Sequence, residues 1–479
     1  MGQNKFISNN YTFDEDTIVA LCSPRGSGAV ALIRLSGENA VKVVDKIAKL
    51  PSGKSLVESS SHTIHYGHVV DSSKKNEEII DEVLFFLMHA PKTFTGQNTV
   101  EISCHNNQFI IDKIIQQAIL YGARAAGPGE FTKRAFLSGK VDLVQAESIN
   151  EIIGAQTQLA LKKAMSQLKG SFSNYIQKLE EEINALLGIV EASFEFLDEE
   201  QRDLDFDGMI KNKIDELLAD IEKIKINYDQ QQQIREGVRI SFLGAVNAGK
   251  STLFNVLLKK DRSIVTEIAG TTRDSIECGI YRSGNFWTLV DTAGLRKTKN
   301  VIEKQGIDRS WNEAKLADIV LLIIPADIDF SDNEFDFYNK IVQEYKSKLV
   351  VVISKQDVVK NGLPSKIQKF LNNLDVQVIE VSALKNIGID QLEKIVEQKV
   401  QKLFSQLQSP YLLNKRHYSL VEEVEKRLKN IKQNCSDNIE HEIVAINLRD
   451  ILEHLSCLTG RNVNEKMLDS VFKNFCVGK

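Results

Sequence analysis

The spacing of apolar residues divides the chain into segments of three kinds. Within residues 16–35, two apolar runs flank a Pro-Arg-Gly-Ser-Gly turn, which predicts a hairpin or a strand–loop–strand unit. Strand-like runs recur at residues 82–88 and 100–103. The N-terminal region is therefore predicted to be α+β.

From about residue 140, apolar residues follow one another at spacings of three and four, which is typical of amphipathic helices. The first run predicts one long helix that ends in an acidic loop at residues 198–207, and a second run predicts another helix. Few breakers interrupt either run, and this favours a helical bundle. The first run comprises Leu161, Met165, Leu168, Phe172, Tyr175, Leu179, Ile183, Leu186, Val190 and Phe194, and the second Ile210, Ile214, Leu217, Ile221 and Ile224.

Residues 238–405 alternate between strand and helix patterns, which predicts one α/β nucleotide-binding domain. Two continuous apolar runs, Ile319–Pro325 and Leu349–Ser354, are typical of strands buried on both faces of a parallel sheet. Further strands are predicted at residues 238–245 and 376–381, a helix at 250–258, and a hairpin at 275–281 and 285–290 across a Ser283-Gly284 turn. Helical periodicity returns after Gln401, so the α/β domain is predicted to be inserted into a helical domain.

Composition narrows the class of protein without identifying it. The net charge of −5 over 479 residues argues against a globally basic nucleic-acid binder. The six cysteines form no CxxC pair, so neither a zinc site nor a disulfide framework is indicated. No apolar run is long enough to span a bilayer, and the first fifteen residues resemble neither a signal nor a transit peptide. We therefore expect a cytoplasmic protein with no membrane partner.

A phosphate-binding loop directly follows the strand predicted at residues 238–245. The segment from Gly244 to Ser251, GAVNAGKS, matches GxxxxGK[ST], a loop whose backbone N–H groups surround a β-phosphate at a helix N-terminus. Lys250 is expected to neutralise the β- and γ-phosphates, and Ser251 to coordinate Mg²⁺. The loop residues predicted to bind GTP are Gly244, Asn247, Ala248, Gly249, Lys250, Ser251 and Thr252.

Two downstream segments fit the switches of a GTPase. Asp291-Thr-Ala-Gly294 ends the hairpin, where Asp291 can hold the Mg²⁺ shell and the Gly294 amide can meet the γ-phosphate. Residues 270–274, GTTRD, precede the hairpin, and by position the hydroxyl of Thr272 is the expected Mg²⁺ ligand. Many GTPases place a water-orienting Gln after DxxG, but Leu295 stands there, so the group that orients water must lie elsewhere.

Residues 354–357, SKQD, resemble the guanine-reading sequence NKxD. Asp357 can accept hydrogen bonds from guanine N1–H and N2–H₂, a pattern that adenine does not offer, which favours GTP over ATP. Ser354 replaces the usual Asn, and its shorter side chain is expected to weaken the contacts to guanine N7 and to the phosphate loop. The guanine-binding set is Ser354, Lys355 and Asp357, with Ser382, Ala383 and Leu384 forming a last loop whose backbone N–H meets O6.

These motifs together resemble one family. The segments GAVNAGKS, TEIAGTTRD and DTAGL, with the C-terminal CVGK, are similar to those of the tRNA-modification GTPase MnmE family, also called TrmE. Three N-terminal segments resemble the family's folate-binding domain: DTIVALCSPRGSGAVALIRLSG, FTGQNTVEISCH and GEFTKRAFLSGKVDLVQAES. The resemblance extends over nearly the whole chain.

The resemblance implies a multidomain fold and a modification activity. The parts would be an α+β folate-binding and dimerisation domain (1–139), an α-helical bundle in two halves (140–232 and 402–479), and an inserted α/β P-loop GTPase domain (233–401). A homodimer would form a heterotetramer with an FAD-dependent partner of the MnmG type. Together they would place an aminomethyl-type group on C5 of the wobble uridine of tRNA, with a 5-formyl- or 5,10-methylene-tetrahydrofolate as the one-carbon donor.

The resemblance also implies roles for particular residues. Arg34, Glu101 and Lys140 match the family's folate contacts, with Lys479 reaching in from the tail, and their charges suit a folate glutamate carboxylate and a pterin N–H edge. Asn247, Thr266, Ile268 and Thr271 match a K⁺ site, whose charge would replace an arginine finger. Glu303 matches the catalytic glutamate and would compensate for Leu295, although the sequence alone favours a solvated helix carboxylate. Cys476 could be a nucleophile or a buried thiol.

Two other classes of protein share a P-loop GTPase domain. A ribosome-assembly GTPase, acting as an RNA-binding switch, would be expected to carry a basic RNA-binding appendage, and the sequence has no visible one. A dynamin-like protein would need an amphipathic or transmembrane tip, and none is evident. The tRNA substrate rests on the resemblance and not on a basic stripe.

Overall fold

The computed structural model describes residues 16–26, 28–72, 78–195, 206–226, 228, 231–245, 247–259, 266–267, 276–291, 312–329, 332–359, 362–405, 409–434 and 441–478. The chain forms two compact units. Unit 1 contains Met1–Ile153, Ala164–Ile221 and Asn414–Lys479, and unit 2 contains Gly154–Lys163 and Glu222–Leu413. Because unit 1 holds both the N-terminal sheet and most of the helices, the boundary at residues 139 and 140 stays a prediction.

Unit 1 contains a seven-stranded sheet in the order β3-β4-β5-β6-β2-β1-β7, in which only β1 and β7 run parallel. Strands β2, β5 and β6 alternate buried and more exposed residues, as expected where one face meets a core. Helices α1 and α2 contribute to the core on that face. The strands are β1 (Thr17–Leu21), β2 (Val30–Ser36), β3 (Ala48–Lys49), β4 (Thr63–Asp71), β5 (Glu78–Met88), β6 (Thr99–His105) and β7 (Ala123–Ala125), and the two helices are α1 (Ala40–Asp45) and α2 (Gln108–Leu120).

Among the other helices of unit 1, α6 lies along α14, and α14 in turn packs on α13. The apolar residues of α6 and α14 that face each other are buried, so their period of three to four residues is explained by one helical core. The other helices of unit 1 are α3 (Glu130–Leu137), α4 (Leu143–Gly154), α6 (Ser171–Glu195), α13 (Lys415–Asn434), α14 (His441–Thr459) and α15 (Glu465–Phe472), and two more helices, α5 (Gln158–Leu168) and α7 (Phe206–Lys225), are each divided between the two units.

The prediction of one long helix through residues 161–194 is wrong. The run is two helices, α5 and α6, separated at Gly170, whose φ of 93° lies in the left-handed region that an α-helix cannot pass through. Leu161 and Met165 are exposed, so the periodic pattern in α5 does not mark a core face. The second predicted helix is confirmed as α7, and the five apolar residues of the predicted run are all buried. Residues 198–205 of the predicted acidic loop lie outside the described residues, and its last two residues begin α7.

Unit 2 is built on a seven-stranded sheet in the order β14-β13-β12-β8-β11-β10-β9, parallel except at β10. Apolar clusters cover both faces, which explains the continuous apolar runs of β12 and β13. The predicted hairpin is confirmed, with Arg282 paired to Asn285 across a two-residue turn. The strands are β8 (Val238–Leu243), β9 (Thr266–Glu267), β10 (Ile276–Arg282), β11 (Asn285–Asp291), β12 (Ile319–Pro325), β13 (Leu349–Ser354) and β14 (Gln377–Glu380), and the helices are α8 (Gln231–Glu236), α9 (Lys250–Lys259), α10 (Asp332–Tyr345), α11 (Ser365–Asn372) and α12 (Ile389–Ser405).

The parallel strands of unit 2 bring the predicted nucleotide residues to one edge of the sheet. Strand β8 ends just before Gly244, β11 ends at Asp291, and β13 ends at Ser354. In a parallel sheet the carboxyl ends of the strands lie together, and ligands bind in the crevice that forms there. The fold thus assembles a site from segments that are far apart in sequence.

Candidate functional site

The phosphate loop leaves β8 at Gly244 and enters α9 at Lys250. Gly244 has a φ of 148°, and a Cβ there would lie 2.2 Å from the carbonyl oxygen of Ile323 on β12. Only glycine therefore fits between the loop and the sheet. Asn247, at the turn of the loop, has a φ of 64°, a left-handed conformation that Asn tolerates better than most residues.

The ammonium group of Lys250 is held inside this loop. Its Nζ donates hydrogen bonds to the carbonyl oxygens of Gly244 and Ala245, both at 2.7 Å, and the residue is buried. Burial lowers the pKa of Lys250, and the nearby carboxylate of Asp291 opposes that shift. Asp291 is itself only 2% exposed. A buried carboxylate beside a buried ammonium group suits a site that receives both phosphates and a divalent cation.

Ser354 contacts the phosphate loop directly. Its hydroxyl donates a hydrogen bond of 2.5 Å to the carbonyl oxygen of Ala248, and the residue is 4% exposed. The expectation that the shorter side chain weakens the contact to the phosphate loop is therefore not supported, since the hydroxyl reaches the loop by itself. A hydroxyl group donates one hydrogen bond. Because Ser354 donates it to Ala248, this hydroxyl is not available as a donor to guanine N7.

The carboxylate of Asp357, which is predicted to read guanine, is positioned by the next loop of the sheet. Ser382 is buried, and its hydroxyl donates a 2.6 Å hydrogen bond to Oδ1 of Asp357. This hydrogen bond lowers the pKa of Asp357, so the carboxylate is ionised and its second oxygen can accept from a base. Paired backbone hydrogen bonds between Ser382 and Ile387, both 3.0 Å, fix the loop that contains Ala383 and the exposed Leu384.

Lys355 lies on the same rim. It has a left-handed φ of 59°, and its Nζ pairs with the carboxylate of Asp327 at 3.0 Å. Ser251 and Thr252 are exposed in the first turn of α9, where Ser251 can reach a bound cation.

Several predicted site residues lie outside the described part of the chain. They are Ile268, Thr271, Thr272, Gly294, Glu303 and Lys479. Thr266 is described only as a backbone position in β9. The described residues therefore contain the phosphate loop, Asp291 and the guanine loops, but not the predicted switch ligand or the catalytic glutamate.

In unit 1, the predicted folate residues Arg34 and Glu101 face each other across β2 and β6. Nε of Arg34 donates a 2.7 Å hydrogen bond to Oε1 of Glu101, and both side chains are about one-fifth exposed. The guanidinium carbon lies 5.6 Å from the ring centroid of Phe131 and 6.0 Å from that of Phe94. The charged pair thus lies between the buried ring of Phe131 and the exposed ring of Phe94.

The C-terminal tail folds back to the Arg34–Glu101 pair within the same chain. Val477 bridges to Pro128, and the N–H of Gly129 donates to the carbonyl oxygen of Cys476 at 3.2 Å. The carbonyl oxygen of Gly478 accepts from the Cys22 thiol at 3.1 Å and lies 3.5 Å from Nη1 of Arg34. Of the two predictions for Cys476, the buried thiol is wrong, because this side chain is exposed.

Lys140 has a different surrounding from Arg34 and Glu101. Its Nζ donates a 2.6 Å hydrogen bond to the carbonyl oxygen of Pro91. It also lines a cavity of about 410 Å³ together with Lys169 and Arg461. Arg34 and Glu101 are not among the residues that line this cavity. The described structure therefore joins two of the three predicted N-terminal folate residues directly and places the third on a separate surface.

Comparison with known proteins identifies the family. Residues 17–140 match the family model described as GTP-binding protein TrmE N-terminus, and residues 143–476 match that of the MnmE helical domain. The chain is 35% identical over 468 residues to the tRNA modification GTPase MnmE of Clostridioides difficile, covering 98% of this chain and 100% of that protein. It is 36% identical over 470 residues to the protein of the same name from Bacillus licheniformis, covering 97% and 100%. The chain belongs to the MnmE family.

Family membership confirms the predicted resemblance and the multidomain fold class. A solved structure, the G domain of the Thermotoga maritima FeoB iron transporter, covers 35% of this chain and 98% of its own, with 21% identity and a TM-score of 0.26. Among the described helices, none has the length and apolar character needed to cross a bilayer.

Two residues at the MnmE-type nucleotide site were not predicted from the sequence. Tyr338 of α10 is buried, and its hydroxyl accepts a 3.1 Å hydrogen bond from the N–H of Ala245. Nothing in the local sequence marks this tyrosine, since it lies in an ordinary amphipathic helix. Asp327, the partner of Lys355, does carry a signal, because it comes two residues after the buried strand β12, at the carboxyl edge.

Proposed function

We propose that this chain couples GTP hydrolysis to the addition of an aminomethyl-type group at C5 of the wobble uridine of tRNA. Membership of the MnmE family makes it a GTP hydrolase of tRNA modification. The observation that carries the nucleotide assignment is the convergence at one sheet edge of Lys250 inside its loop, buried Asp291, and Asp357 held by Ser382.

In this proposal the residues have distinct tasks. Lys250 exchanges its contacts with the carbonyl oxygens of Gly244 and Ala245 for the β- and γ-phosphate oxygens of GTP. Ser251, Thr272 and Asp291 hold Mg²⁺, which neutralises phosphate charge when bound. Asp357 selects guanine through the carboxylate oxygen that Ser382 leaves available. Glu303 orients the attacking water, since Leu295 cannot.

A potassium ion beside the phosphates is the proposed replacement for an arginine finger. Its ligands would come from Asn247, Thr266, Ile268 and Thr271. Asn247 is exposed at the turn of the phosphate loop, so its amide oxygen is available to a cation there. A fixed positive charge at this position would stabilise the charge that develops on the phosphates during hydrolysis.

GTP turnover is expected to be faster in K⁺ than in Na⁺ at equal ionic strength, by roughly 10- to 10³-fold, the order of one preorganised electrostatic contact. Asn247→Gly should remove most of the difference, because glycine keeps the left-handed φ and lacks the amide. Phosphate release in the two salts measures this. Equal rates of phosphate release by the wild-type protein in the two salts would contradict the proposed K⁺ site. An unaltered preference for K⁺ in Asn247→Gly would show that Asn247 is not one of its ligands.

A homodimer through the N-terminal sheet is the proposed assembly. One row of paired residues crosses this sheet from Ile64 through Phe86, Glu101 and Arg34 to Ala20. At the β4 end, Ile64 is 61% exposed and Tyr66, two residues along, is 50% exposed. An exposed apolar sheet face of this kind suits a second copy of the chain. Light scattering of the wild-type protein in K⁺ measures the mass of the assembly. A mass near 53.8 kDa, that of one chain, would contradict the homodimer.

The folate donor is proposed to bind beside the Arg34–Glu101 pair. The guanidinium group suits a carboxylate of the folate, Glu101 suits the pterin N–H edge, and the exposed aromatic ring of Phe94 offers an apolar surface. The tail lies close by, because the carbonyl oxygen of Gly478 is 3.5 Å from Nη1 of Arg34. Lys479 is the next residue along the chain. Lys140 is proposed to contact the ligand from the outer side.

The modification chemistry is proposed to need a second protein. A flavoprotein of the MnmG type would supply the redox step in a heterotetramer, and we place the complex in the cytoplasm with its tRNA. The second candidate function, a ribosome-assembly GTPase, predicts defects in ribosomal RNA instead of tRNA.

A strain that lacks this chain should lose the C5 substituent of the wobble uridine, and the wild-type chain should restore it. A strain without the flavoprotein should show the same loss. Arg34→Ala should fail to restore the substituent and should bind the folate roughly 10- to 150-fold more weakly, because one charged hydrogen-bond partner is lost. Its GTP hydrolysis should be unchanged, since Arg34 lies in unit 1 and the phosphate loop in unit 2.

Mass spectrometry of tRNA nucleosides and calorimetric titration with 5-formyl-tetrahydrofolate measure these effects. Lys133→Ala is a matched control, because it removes a cation of α3 that pairs with Asp469 at 2.7 Å instead of with Glu101. Normal nucleosides in the deletion strain, with accumulated ribosomal RNA precursors, would favour the second function. Normal folate binding by Arg34→Ala would contradict the folate pocket only.

A further inference from the structure

A short segment of unit 2, residues 156–158, lies between two parts of the nucleotide-binding fold. On one side is the tip of the β10–β11 hairpin, and on the other is the end of α8, which precedes β8 and the phosphate loop. The segment also starts helix α5, whose first helical residue is Gln158. No residue of the proposed nucleotide or folate sites belongs to it.

Each of the three residues of the segment contacts the hairpin. The N–H of Gln158 donates to the carbonyl oxygen of Gly284 at 2.9 Å, and Thr157 pairs with Asn285 in an antiparallel bridge. The hydroxyl of Tyr281 donates a 2.5 Å hydrogen bond to Oε1 of Gln156. A Cβ at residue 284 would lie 2.5 Å from the side chain of Gln158, so the approach is close.

The same residues are hydrogen-bonded to α8. The N–H of Gln156 donates to the carbonyl oxygen of Arg235 at 2.9 Å. The hydroxyl of Thr157 donates to the carbonyl oxygen of Ile234 at 2.5 Å. Thr157 is 3% exposed, and its Oγ1 also accepts from the N–H of Ala160, which caps the first turn of α5. Ala160 and Ile234 share one buried apolar cluster.

This placement makes the segment sensitive to any displacement of the hairpin tip relative to α8. Strand β10 begins at Ile276, just after the predicted switch at residues 270–274, and β11 ends at Asp291, which begins the DTAG segment. Seven residue pairs join the two strands, so the hairpin is continuous from Ile276 and Asp291 to its tip. Strand β11 is also paired with β8 from Trp287 to Asp291, so a change at the γ-phosphate displaces the part that extends beyond this ladder, the tip at Gly284, relative to Arg235. Residues 156–158 cannot then keep both sets of hydrogen bonds.

We propose that residues 156–158 form a coupling clamp that passes the nucleotide state from the hairpin to helix α5. Helix α5 is continuous through Leu168, so a change at its first turn is carried along its length. Gln156, Thr157 and Tyr281 are positioning residues in this scheme and touch no nucleotide. The inference rests on the proposed function, because it needs a chain that binds and hydrolyses GTP.

Hydrogen exchange of the full-length protein tests the clamp. Peptides covering residues 154–163 and 281–286 are compared in GDP and in a non-hydrolysable GTP analogue, both with Mg²⁺ and K⁺. In the wild type, exchange of the amides of Gln156 and Gln158 is expected to differ between the two states by about two- to tenfold, the change that one hydrogen bond produces. In the double variant Tyr281→Phe/Thr157→Val the difference should largely disappear.

Two controls separate coupling from general loosening of the fold. Ser283→Ala removes a different contact of the same tip, a 2.6 Å hydrogen bond to Glu397 of α12, and should keep the wild-type difference. Tyr281→Phe alone deletes only a partly exposed hydroxyl, so the fold is retained, and it should lose part of the difference. The yield of modified tRNA per GTP hydrolysed should fall in the double variant while GTP turnover is kept.

The outcomes distinguish the clamp from the function beneath it. Equal exchange of Gln156 and Gln158 in the two nucleotide states, in wild-type protein that hydrolyses GTP normally, would overturn the clamp and leave the proposed function standing. A double variant that keeps both the exchange difference and the yield would overturn it as well. Absence of GTP binding and hydrolysis in the wild type would instead overturn the proposed function.

Discussion

Replacing Lys250 by alanine is expected to abolish GTP binding at micromolar nucleotide. The ammonium group is buried in the phosphate loop, where it donates to the carbonyl oxygens of Gly244 and Ala245. Loss of charged hydrogen bonds to the β- and γ-phosphates costs about 1.5–3 kcal/mol each. Two such contacts correspond to an affinity lower by roughly 10²–10⁴-fold.

Titration with a fluorescent GTP analogue measures the loss of affinity. Lys259→Ala is the matched control, because this lysine is exposed in the last turn of the same helix, α9, and should leave binding unchanged. A melting curve of Lys250→Ala shows whether the loop still folds. Wild-type affinity in a folded Lys250→Ala protein would contradict the position given to the phosphates.

The sequence predicts the nucleotide unit well because its signals are local. Strands β12 and β13 are continuous apolar runs, and both have the predicted bounds, Ile319–Pro325 and Leu349–Ser354. The phosphate loop has a fixed spacing of glycines and lysine directly after a strand, so Lys250 is found without knowledge of the fold. The carboxyl edge of a parallel sheet then explains why Asp291 and Ser354 accompany it.

Other features could not be predicted, because they depend on contacts between distant segments. Gly170 interrupts a pattern that looks like one helix, since apolar spacing does not reveal a left-handed φ of 93°. The hydroxyl of Ser354 reaches Ala248 across 106 residues of sequence, and Tyr338 reaches Ala245 across 93. The sequence predicts that the tail reaches the N-terminal residues, but not the contact that holds it there, the bridge between Val477 and Pro128.

A buried network of charges joins four helices of unit 1 around Glu147 of α4. Arg416 of α13 donates to both carboxylate oxygens, at 2.8 Å to Oε1 and 2.5 Å to Oε2, and Nε2 of His417 lies 2.6 Å from Oε2. Arg416 also donates to the carbonyl oxygen of Cys457 on α14, at 3.0 Å. The ring of His417 lies 5.4 Å from that of Phe172 on α6.

Glu147→Gln is expected to lower the free energy of unfolding of this network by about 3–5 kcal/mol, because a buried guanidinium group then loses its counter-charge. Native-state hydrogen exchange of the peptides from α4 and α13 measures the loss, as a rate increase of roughly 10²–10⁴-fold. Glu191→Gln is the control, since Glu191 pairs with Arg449 at 2.8 Å on the surface and such pairs contribute about 0–1 kcal/mol. Equal exchange rates in the two variants would show that the pair formed by Glu147 stabilises the fold no more than the exposed pair formed by Glu191.

The pH dependence of this stabilisation has a definite sign. Burial alone would raise the pKa of Glu147, but the charges and hydrogen bonds of His417 and Arg416 outweigh it and hold the pKa well below its usual range. A carboxyl whose pKa is lower in the folded state contributes its full stabilisation above the unfolded value of about 4.3 and loses it as the pH falls toward the folded value. The stability difference between the wild type and Glu147→Gln should therefore narrow as the pH falls below about 4.3. A difference that instead widened on acidification would mean that Glu147 is protonated in the folded protein and that Arg416 and His417 do not hold it as a carboxylate.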